Sequence, residues 1–204
     1  MNRFDDQAKT WDENPDKLQR AETFAKEIIQ FIAPKKQLHA LEFGCGTGLL
    51  SFALKDAFKT ITLVDTSEGM INVLKEKIEQ QKITNFKPVL ADLLSDDCTI
   101  ENTDIIYTLM TLHHIHDLEK AFTAFHRLLH TNGYLCIADL VEEDGTFHKP
   151  ELNFDGHLGF NKEKLSVLLN NHGFSVEYYS TPHTITKESG KKYPLFLLIA
   201  KRRS

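Results

Sequence analysis

Three glycines alternate along one short stretch of this chain, at Gly44, Gly46 and Gly48 in "LEFGCGTGLL". Apolar runs precede and follow them, which predicts a strand, a tight loop and a helix. Glycine has no Cβ, so a ligand can closely approach the backbone of such a loop. Asp65 ends the next predicted strand about 20 positions later, where an acidic residue typically binds ribose hydroxyls. The ligand is therefore predicted to carry a ribose.

The glycine spacing separates two classes of nucleotide-binding loop. A nicotinamide fingerprint reads G-x-G-x-x-G and would need a glycine where Leu49 stands. The order G-x-G-x-G, with Glu42 two positions ahead of the loop, resembles motif I of the class I S-adenosylmethionine-dependent methyltransferases. A nicotinamide-dependent oxidoreductase is therefore disfavoured.

Further stretches resemble the same family in chain order. They are "TSEGM" directly after Asp65, "LADL" containing Asp92, "DIIYTLMTLHHIHD", "LLHTNGYLCIAD" and "NHGFSVEYY". The resemblance covers essentially the whole chain. It points to the small-molecule branch that includes the ubiquinone and menaquinone methyltransferases.

The resemblance implies S-adenosylmethionine as the cofactor and gives individual residues roles in binding it. Gly44, Gly46 and Gly48 would allow close approach of its methionine and ribose parts. Glu42 would support the loop, Cys45 would contribute only its backbone, and Asp65 would bind both ribose hydroxyls. The other implied contacts are Thr66 at the adenine edge, Met70 on the adenine face, Asp92 at the adenine amine, Leu93 facing the ring through its backbone, Thr108 near the methionine ammonium, and Trp11 closing the amino-terminal segment over the cofactor.

The residue pattern alone leaves structural alternatives open for four of these positions. Asp65 also fits a strand-end cap, and Asp92 fits a turn. Met70 lies on the apolar stripe of a predicted helix and fits the core. Trp11 also fits an anchor for the first long helix.

Histidines cluster after the fourth predicted strand, at His113, His114 and His116. Neighbouring positions of this kind do not share a helix face, and no cysteine or helical His-x-x-x-His completes a ligand set. Cys45, Cys98 and Cys136 are widely spaced and form no Cys-x-x-Cys pair. No metal site and no disulfide framework is predicted.

Methyl transfer from a sulfonium needs alignment and exclusion of water, and it needs a base only if the acceptor begins protonated. Candidate bases are His113, His148, His157 and Tyr107, and we assign the catalytic positions to His113 and His157. The stretch 141–160 holds aromatic residues and histidines between a strand and a helix, which suits an acceptor lid. The alternative is that its aromatic residues plug the core. With His157 or His148 pointing in, such a wall favours a compact aromatic or heterocyclic acceptor.

Alternating strand-like and helix-like segments predict an α/β fold with a doubly wound, mostly parallel seven-stranded sheet. The last two strands are joined by "PHTITKESGKKY", which leaves no room for a crossover helix, so they should form a carboxyl-terminal antiparallel hairpin. We expect a single domain over residues 1–204. Residues 1–33 would form a cap segment and helix, and residues 141–160 a substrate lid.

Composition limits the partners. The chain has 204 residues and a formal net charge of −5, so nucleic acid is a disfavoured partner. No apolar run is long enough for a membrane span or a secretory signal, and a cytoplasmic protein is expected.

A small-molecule acceptor is the leading interpretation. An RNA or protein methyltransferase is an alternative, although "TLMT" stands where amino-directed nucleic-acid enzymes carry "NPPY". A non-catalytic S-adenosylmethionine-binding protein also fits, and the oligomeric state stays open.

Overall fold

The computed structural model describes residues 3–95, 99–148 and 154–204, and of Arg3 the backbone only. Cys98 and part of the predicted lid, residues 149–153, lie outside these ranges. Within the described ranges, no helix combines the length and the apolar character needed to cross a membrane.

Seven strands form one sheet. They are β1 (His39–Phe43), β2 (Thr60–Asp65), β3 (Phe86–Leu90), β4 (Thr103–Leu109), β5 (Leu129–Leu140), β6 (Phe174–Thr186) and β7 (Lys192–Arg202). Their spatial order is β3-β2-β1-β4-β5-β7-β6. Only β7 runs antiparallel to its neighbours. The predicted fold class and the closing hairpin are therefore confirmed.

Six α-helices accompany the sheet in the part of the chain that the structure describes. They are α1 (Arg3–Gln7), α2 (Pro15–Ile32), α3 (Leu49–Leu54), α4 (Glu68–Gln80), α5 (Leu118–Leu128) and α6 (Lys162–Asn171), with a 3-10 turn over Ala8–Glu13 between the first two. Local capping sets where they begin: the Asn14 side chain accepts the Asp16 N–H at 3.0 Å, and Pro15 occupies the first turn of α2. Ser67, Asp117 and Asn161 cap α4, α5 and α6 in the same way.

The helices cover both faces of the sheet, as doubly wound folds require. On one face α2 and α3 bury apolar side chains such as Phe24, Ile28 and Leu54. On the other face α5 and α6 bury Phe122, Phe125, Leu165 and Leu169, together with others. Both faces of the central strands are thus removed from water, which leaves the ends of the strands as the places where a ligand can enter.

The structure corrects two predicted boundaries. The helix predicted after the glycine loop is shorter than its apolar pattern and ends at Leu54. The loop between the last two strands is also shorter, because β6 continues to Thr186 and pairs it with Lys192. Pro88 lies within β3 at the edge of the sheet, where its missing N–H costs no ladder hydrogen bond.

The stretch 141–160 leaves the carboxyl end of β5 and returns to the same place. The Glu143 N–H donates to the Leu158 carbonyl at 2.8 Å, and Val141 bridges to Phe160. The His157 N–H donates to the His113 carbonyl at 2.8 Å. Its two ends are therefore fastened to each other and to the loop after β4, on the side where the strands end.

Candidate active site

A cavity of about 470 Å³ lies at the carboxyl ends of the parallel strands. The loops after β1, β2, β3 and β4 form its floor. The amino-terminal segment, the start of α2, the start of the stretch 141–160 and the end of β6 surround it. Its size is within the range of sites for small ligands, about 300–1,000 Å³.

The three glycines of the loop after β1 differ in how closely other side chains approach them. All have positive φ, at +64° for Gly44, +52° for Gly46 and +82° for Gly48. A Cβ on Gly44 would lie 2.1 Å from Thr111 Cγ2, and one on Gly48 would lie 2.7 Å from a Leu74 methyl. A Cβ on Gly46 would instead come no closer than 3.9 Å to any atom. Gly46 is therefore the glycine whose bare backbone faces the open cavity, while Gly44 and Gly48 are needed for close packing.

Asp65 joins the glycine loop to the start of α4. One carboxylate oxygen accepts the Gly46 N–H at 2.7 Å, and the other accepts the Ser67 N–H at 2.8 Å. Burial raises the pKa of Asp65, and these backbone donors oppose the shift. The Asp65 carboxylate also lines the cavity, where it is in position to accept a hydrogen bond from a ligand hydroxyl.

Glu42 lies at the floor of the cavity and is 2% exposed. Burial raises its pKa to about 8, although the Ser51 hydroxyl, which donates to it, opposes the shift. Ser51 Oγ also lies 2.6 Å from Tyr107 Oη. The direction of the shift favours the protonated form of Glu42 in the folded protein. The Tyr107 hydroxyl belongs to this buried network and does not line the cavity, which removes it from the candidate bases.

The loops after β2 and β3 form the far end of the cavity. Thr66, Met70, Asp92 and Leu93 all line it. Met70 and Leu93 are each 2% exposed, so their contact with the cavity is also contact with the core. The Asp92 carboxylate accepts the Leu94 N–H at 2.9 Å, so the turn interpretation of Asp92 holds alongside its position on the cavity wall.

The amino-terminal segment is fastened across the cavity by two carboxylates. Asp5 accepts the Gly69 N–H at 3.0 Å and the Ser67 hydroxyl at 2.6 Å. Asp12 accepts the Thr47 hydroxyl and the Lys77 ammonium, each at 2.5 Å. Trp11 stands between these anchors and lines the cavity.

Another part of the cavity wall contains a group of histidines after β4. His113 is 1% exposed, and its Nδ1 lies 2.6 Å from Asp139 Oδ1. The backbone N–H groups of His113 and Leu140 also donate to Asp139, at 3.2 and 2.7 Å. Because Nδ1 is engaged with a carboxylate, Nε2 is the ring nitrogen left to meet a ligand. The rings of His114 and His148 lie 4.0 and 5.1 Å from the His113 ring, between centroids. Phe147, Lys17, Arg20 and Lys187 also line the cavity, with Lys17 Nζ 3.2 Å above the centre of the Trp11 ring.

Comparison with known proteins decides the family. Residues 17–179, most of the chain, match the methyltransferase domain family. The chain belongs to this family. It is an S-adenosylmethionine-dependent methyltransferase of class I.

Relatives and solved structures agree with this assignment. An uncharacterized methyltransferase of Schizosaccharomyces pombe is 30% identical over 155 residues, which cover 69% of this chain and 55% of that one. The match thus spans about half of that relative's length. A methyltransferase of Haloferax volcanii, solved with the Trm112 methyltransferase activator, has a TM-score of 0.80 at 13% identity and covers 100% of this chain and 99% of its own. Phosphoethanolamine N-methyltransferase 2 of Haemonchus contortus, solved with phosphomonomethylethanolamine and S-adenosylhomocysteine, has a TM-score of 0.72 at 15% identity, covering 88% of this chain and 52% of its own.

In this methyltransferase the cavity brings together most of the residues named from sequence. They are Trp11, Glu42, Gly44, Cys45, Gly46, Asp65, Thr66, Met70, Asp92, Leu93 and His113. Their convergence follows from the parallel order of β1, β2, β3 and β4, whose carboxyl ends share one edge of the sheet.

Three predicted site residues do not line the cavity. Gly48 packs against Leu74 instead. Thr108 points away because side chains alternate along β4 and its neighbour Leu109 is the one that lines the cavity. His157 directs Nε2 to the Ile115 carbonyl at 2.9 Å, which fastens the stretch 141–160 to the loop after β4.

Of the two histidines predicted to point into the acceptor site, His148 lines the cavity, together with Phe147, and His157 does not. Phe154 lies behind them, with its ring stacked on His148 at 3.7 Å between centroids. Residues 149–153 of this wall are outside the described ranges. In the described part, no cluster of three His, Cys, Asp or Glu side chains that could hold a metal ion is found.

Sequence reasoning missed the basic residues of the cavity. Arg20 lies one turn before Phe24 and two turns before Ile28, which are both buried on α2. An arginine that extends an apolar helical stripe was the signal for it. Lys187 had no such signal, since it reaches the cavity only through the pairing of β6 with β7.

Proposed function

We propose that this enzyme transfers the methyl group of S-adenosylmethionine to a small molecule that binds between His113 and the amino-terminal segment. The observation that carries the proposal is one continuous cavity whose two ends differ in chemistry. Gly46 and Asp65 mark one end, and His113 with the neighbouring rings of His114 and His148 marks the other. A volume of about 470 Å³ suits a cofactor and a compact acceptor better than a folded macromolecule.

The residues at the Gly46 end fit the cofactor. The open Cβ position of Gly46 leaves room for close approach of a ligand to the backbone. Asp65 lines the cavity and would accept hydrogen bonds from the ribose hydroxyls. Met70 and Leu93 would pack on the adenine faces, with Thr66 and Asp92 at its edge. Trp11 would close this end from above.

The cofactor, when bound, supplies a methyl group already activated by its sulfonium. The protein's own contribution is then to align the acceptor atom and to exclude water, and alignment is worth on the order of 7–11 kcal/mol. The fastened amino-terminal segment and the wall at Phe147 and His148 would exclude water from the methyl group.

His113 is the proposed group for moving a proton. Asp139 fixes its ring orientation and keeps a hydrogen on Nδ1, so Nε2 can accept a proton from an acceptor hydroxyl, thiol or ammonium. His148 lines the same end of the cavity and would contribute to the acceptor wall. His157 keeps only an anchoring role in this proposal, since its side chain is outside the cavity.

The solved structure from Haemonchus contortus gives independent support for a small acceptor, because it holds a phosphobase with S-adenosylhomocysteine in the same fold. The relatives described above do not single out the ubiquinone and menaquinone branch. The acceptor class proposed here therefore rests on the cavity itself.

Transfer of a labelled methyl group tests the proposal. Purified protein and labelled S-adenosylmethionine would be incubated in parallel with a library of small metabolites, total RNA and a mixture of unmodified proteins. Label entering small molecules is the expected result, and label entering only RNA or protein would overturn the acceptor class. Tight cofactor binding with no transfer to any fraction would favour the non-catalytic alternative.

A further inference from the structure

Lys77 connects three parts of the molecule that surround the Gly46 end of the cavity. It lies in the last turn of α4, where its ammonium donates to the Asp12 carboxylate at 2.5 Å and to the Thr47 carbonyl at 2.8 Å. Asp12 belongs to the 3-10 turn of the amino-terminal segment, and Thr47 belongs to the glycine loop after β1. The Lys77 side chain thus links α4 to both the loop and the segment.

Thr47 and Asp12 complete this connection by bonding to each other. The Thr47 hydroxyl donates to the second Asp12 oxygen at 2.5 Å, so both oxygens of the carboxylate are engaged. Thr47 is 1% exposed, and the side chains of Lys77 and Asp12 are 18% and 34% exposed. The bonds between Lys77 and Asp12 and between Thr47 and Asp12 are charge-assisted, and their partial burial reduces screening by salt. The three residues therefore form a closed, partly buried set of hydrogen bonds.

The ligand-facing backbone of the glycine loop lies directly beside this set. Gly46 precedes Thr47, and its N–H donates to Asp65 at 2.7 Å. The carbonyl of Thr47 accepts from Lys77. The Gly46–Thr47 pair is thus held at its amino end by an acidic side chain from β2 and at its carboxyl end by a basic side chain from α4. Loss of the Lys77 ammonium would release one of these two ends.

The same connection holds Trp11, which is the only tryptophan of the chain. Trp11 precedes Asp12 and lines the cavity, with its indole Nε1 4.0 Å from the position that a Cβ on Gly46 would take. The described residues that line the cavity include Trp11 and Thr47, but neither Asp12 nor Lys77. Lys77 would therefore act on a ligand in the cavity only through the residues that it holds.

We propose that Lys77 is a positioning residue for the cofactor, which ties closure of the amino-terminal segment over the cavity to the ligand-binding conformation of the glycine loop. Release of the cofactor, or of its demethylated product, then requires the bonds that Asp12 makes to Lys77 and Thr47 to break. Interactions that must break before a ligand leaves act mainly on its dissociation rate. The inference rests on the proposed function in one respect, the place of the cofactor at the Gly46 end of the cavity.

Trp11 fluorescence tests the inference, because emission from a single tryptophan reports on the amino-terminal segment. Stopped-flow mixing of the protein with increasing concentrations of S-adenosylhomocysteine gives the dissociation rate as the intercept of the observed rate, and calorimetry gives the affinity independently. Lys77→Met keeps the apolar stem but removes the charge, and it should release the ligand about five- to tenfold faster than the wild type. This size lies between the effects of an exposed ion pair and of a charged hydrogen bond.

Further variants assign the effect to the connection itself. Lys77→Arg keeps the charge and should fall between Lys77→Met and the wild type. Lys75→Met, at an exposed position on the same helix, is the matched control and should release the ligand at the wild-type rate. Asp12→Asn should also speed release. The Asp12→Asn, Lys77→Met double variant should be little faster than Lys77→Met, because both changes break one connection. Effects that multiply in the double variant would overturn the inference.

Hydrogen exchange without ligand separates coupling from a simple loss of contacts by the segment. In Lys77→Met, the backbone amides of the glycine loop and of the amino-terminal segment should both exchange faster than in the wild type. Faster exchange in the segment alone would overturn the inference. Equal dissociation rates in Lys77→Met and the wild type, or Trp11 emission that S-adenosylhomocysteine does not change, would also overturn it. Thermal melting confirms that each variant is folded.

The wild-type protein separates a failure of this inference from a failure of the proposed function. Absence of S-adenosylhomocysteine binding by the wild type in calorimetry would contradict the proposed function. Binding by the wild type with an unchanged dissociation rate in Lys77→Met would contradict only the role of Lys77.

Discussion

The Asp65 carboxylate accepts the Gly46 backbone N–H, with 2.7 Å between oxygen and nitrogen. This contact joins the carboxyl ends of β1 and β2 and places the acidic side chain beside the glycine whose backbone is open to the cavity. Asp65 thus shapes the loop and is also available to a ligand. The effects of Asp65 substitutions on folding and on ligand binding must therefore be measured separately.

Asp65→Ala should weaken S-adenosylmethionine binding about ten- to a hundredfold, because charge-assisted hydrogen bonds are worth roughly 1.5–3 kcal/mol. Asp65→Asn should bind S-adenosylmethionine more tightly than Asp65→Ala does, since the amide oxygen can still accept a hydrogen bond. Calorimetry gives the affinity and thermal melting the stability. A folded Asp65→Ala variant with the wild-type dissociation constant would contradict the ribose role.

Gly46→Ala should lower stability by about 1–2 kcal/mol, the cost of a left-handed conformation for a residue with a Cβ. It should also weaken cofactor binding, because the new methyl group would project into the cavity. Gly190→Ala is the matched control: Gly190 has φ of +78° in the hairpin loop, and a Cβ there would meet nothing within 4 Å. Chemical unfolding should show that both variants lose a similar amount of unfolding free energy relative to the wild type. Unchanged cofactor affinity in Gly46→Ala would show that the ligand does not approach this backbone.

Glu42 should make stability fall with rising pH. Burial raises its pKa to about 8 from the ordinary value of 4.5. Between these two values the folded protein holds a proton that the unfolded chain releases, so the stabilisation is complete below about 4.5 and is lost as the pH rises through about 8. The slope is at most about 1.4 kcal/mol per pH unit.

Glu42→Gln carries no titrating proton, and its stability relative to the wild type should therefore increase as the pH rises across this window. Urea unfolding of both proteins at a series of pH values measures the difference. The exposed Glu76→Gln, on α4, serves as the control and should track the wild type. A difference between Glu42→Gln and the wild type that does not change with pH would refute a protonated Glu42.

The amino-terminal segment should exchange amide hydrogens more slowly when S-adenosylmethionine is bound. Trp11 lines the cavity, and Asp12 is held to Thr47 and Lys77 by hydrogen bonds. A ligand under Trp11 would add contacts to this segment. Asp12→Ala should reduce the protection of the segment in both states. Equal exchange with and without the cofactor would show that the segment does not act as a lid.

His113→Gln should lower the rate of methyl transfer about a hundredfold or more for an acceptor that begins protonated, with cofactor affinity unchanged. Asp139→Asn should lower it as well, because the ring would lose the carboxylate that orients it. His116→Gln is the control, since the His116 side chain on the same loop is 66% exposed. Equal turnover in the His113 and His116 variants would remove His113 from the mechanism.

Much of the fold was predictable because it depends on local spacing. The apolar periods and the caps at Ser67, Asp117 and Asn161 set the elements, since a cap bonds a backbone group only three residues or fewer away. The parallel order then followed from strand–helix alternation, and it brought the glycine loop and Asp65 to one edge of the sheet. The family could be recognised for the same reason, because its motifs are short stretches of consecutive residues.

Which side chains meet in the cavity was decided by tertiary structure. Gly46 and Gly48 both have positive φ, yet a Cβ on Gly46 would come no closer than 3.9 Å to Met70, whereas one on Gly48 would lie 2.7 Å from a Leu74 methyl of α4. Arg20 and Lys187 are far apart in sequence and line one cavity only because α2 and the β6–β7 hairpin both lie against it. Spacing along a chain carries no information on such contacts, since they depend on how distant elements pack on the two faces of the sheet. Local sequence thus determined the cofactor end of this methyltransferase, and the packing of distant elements determined the end where the acceptor is proposed to bind.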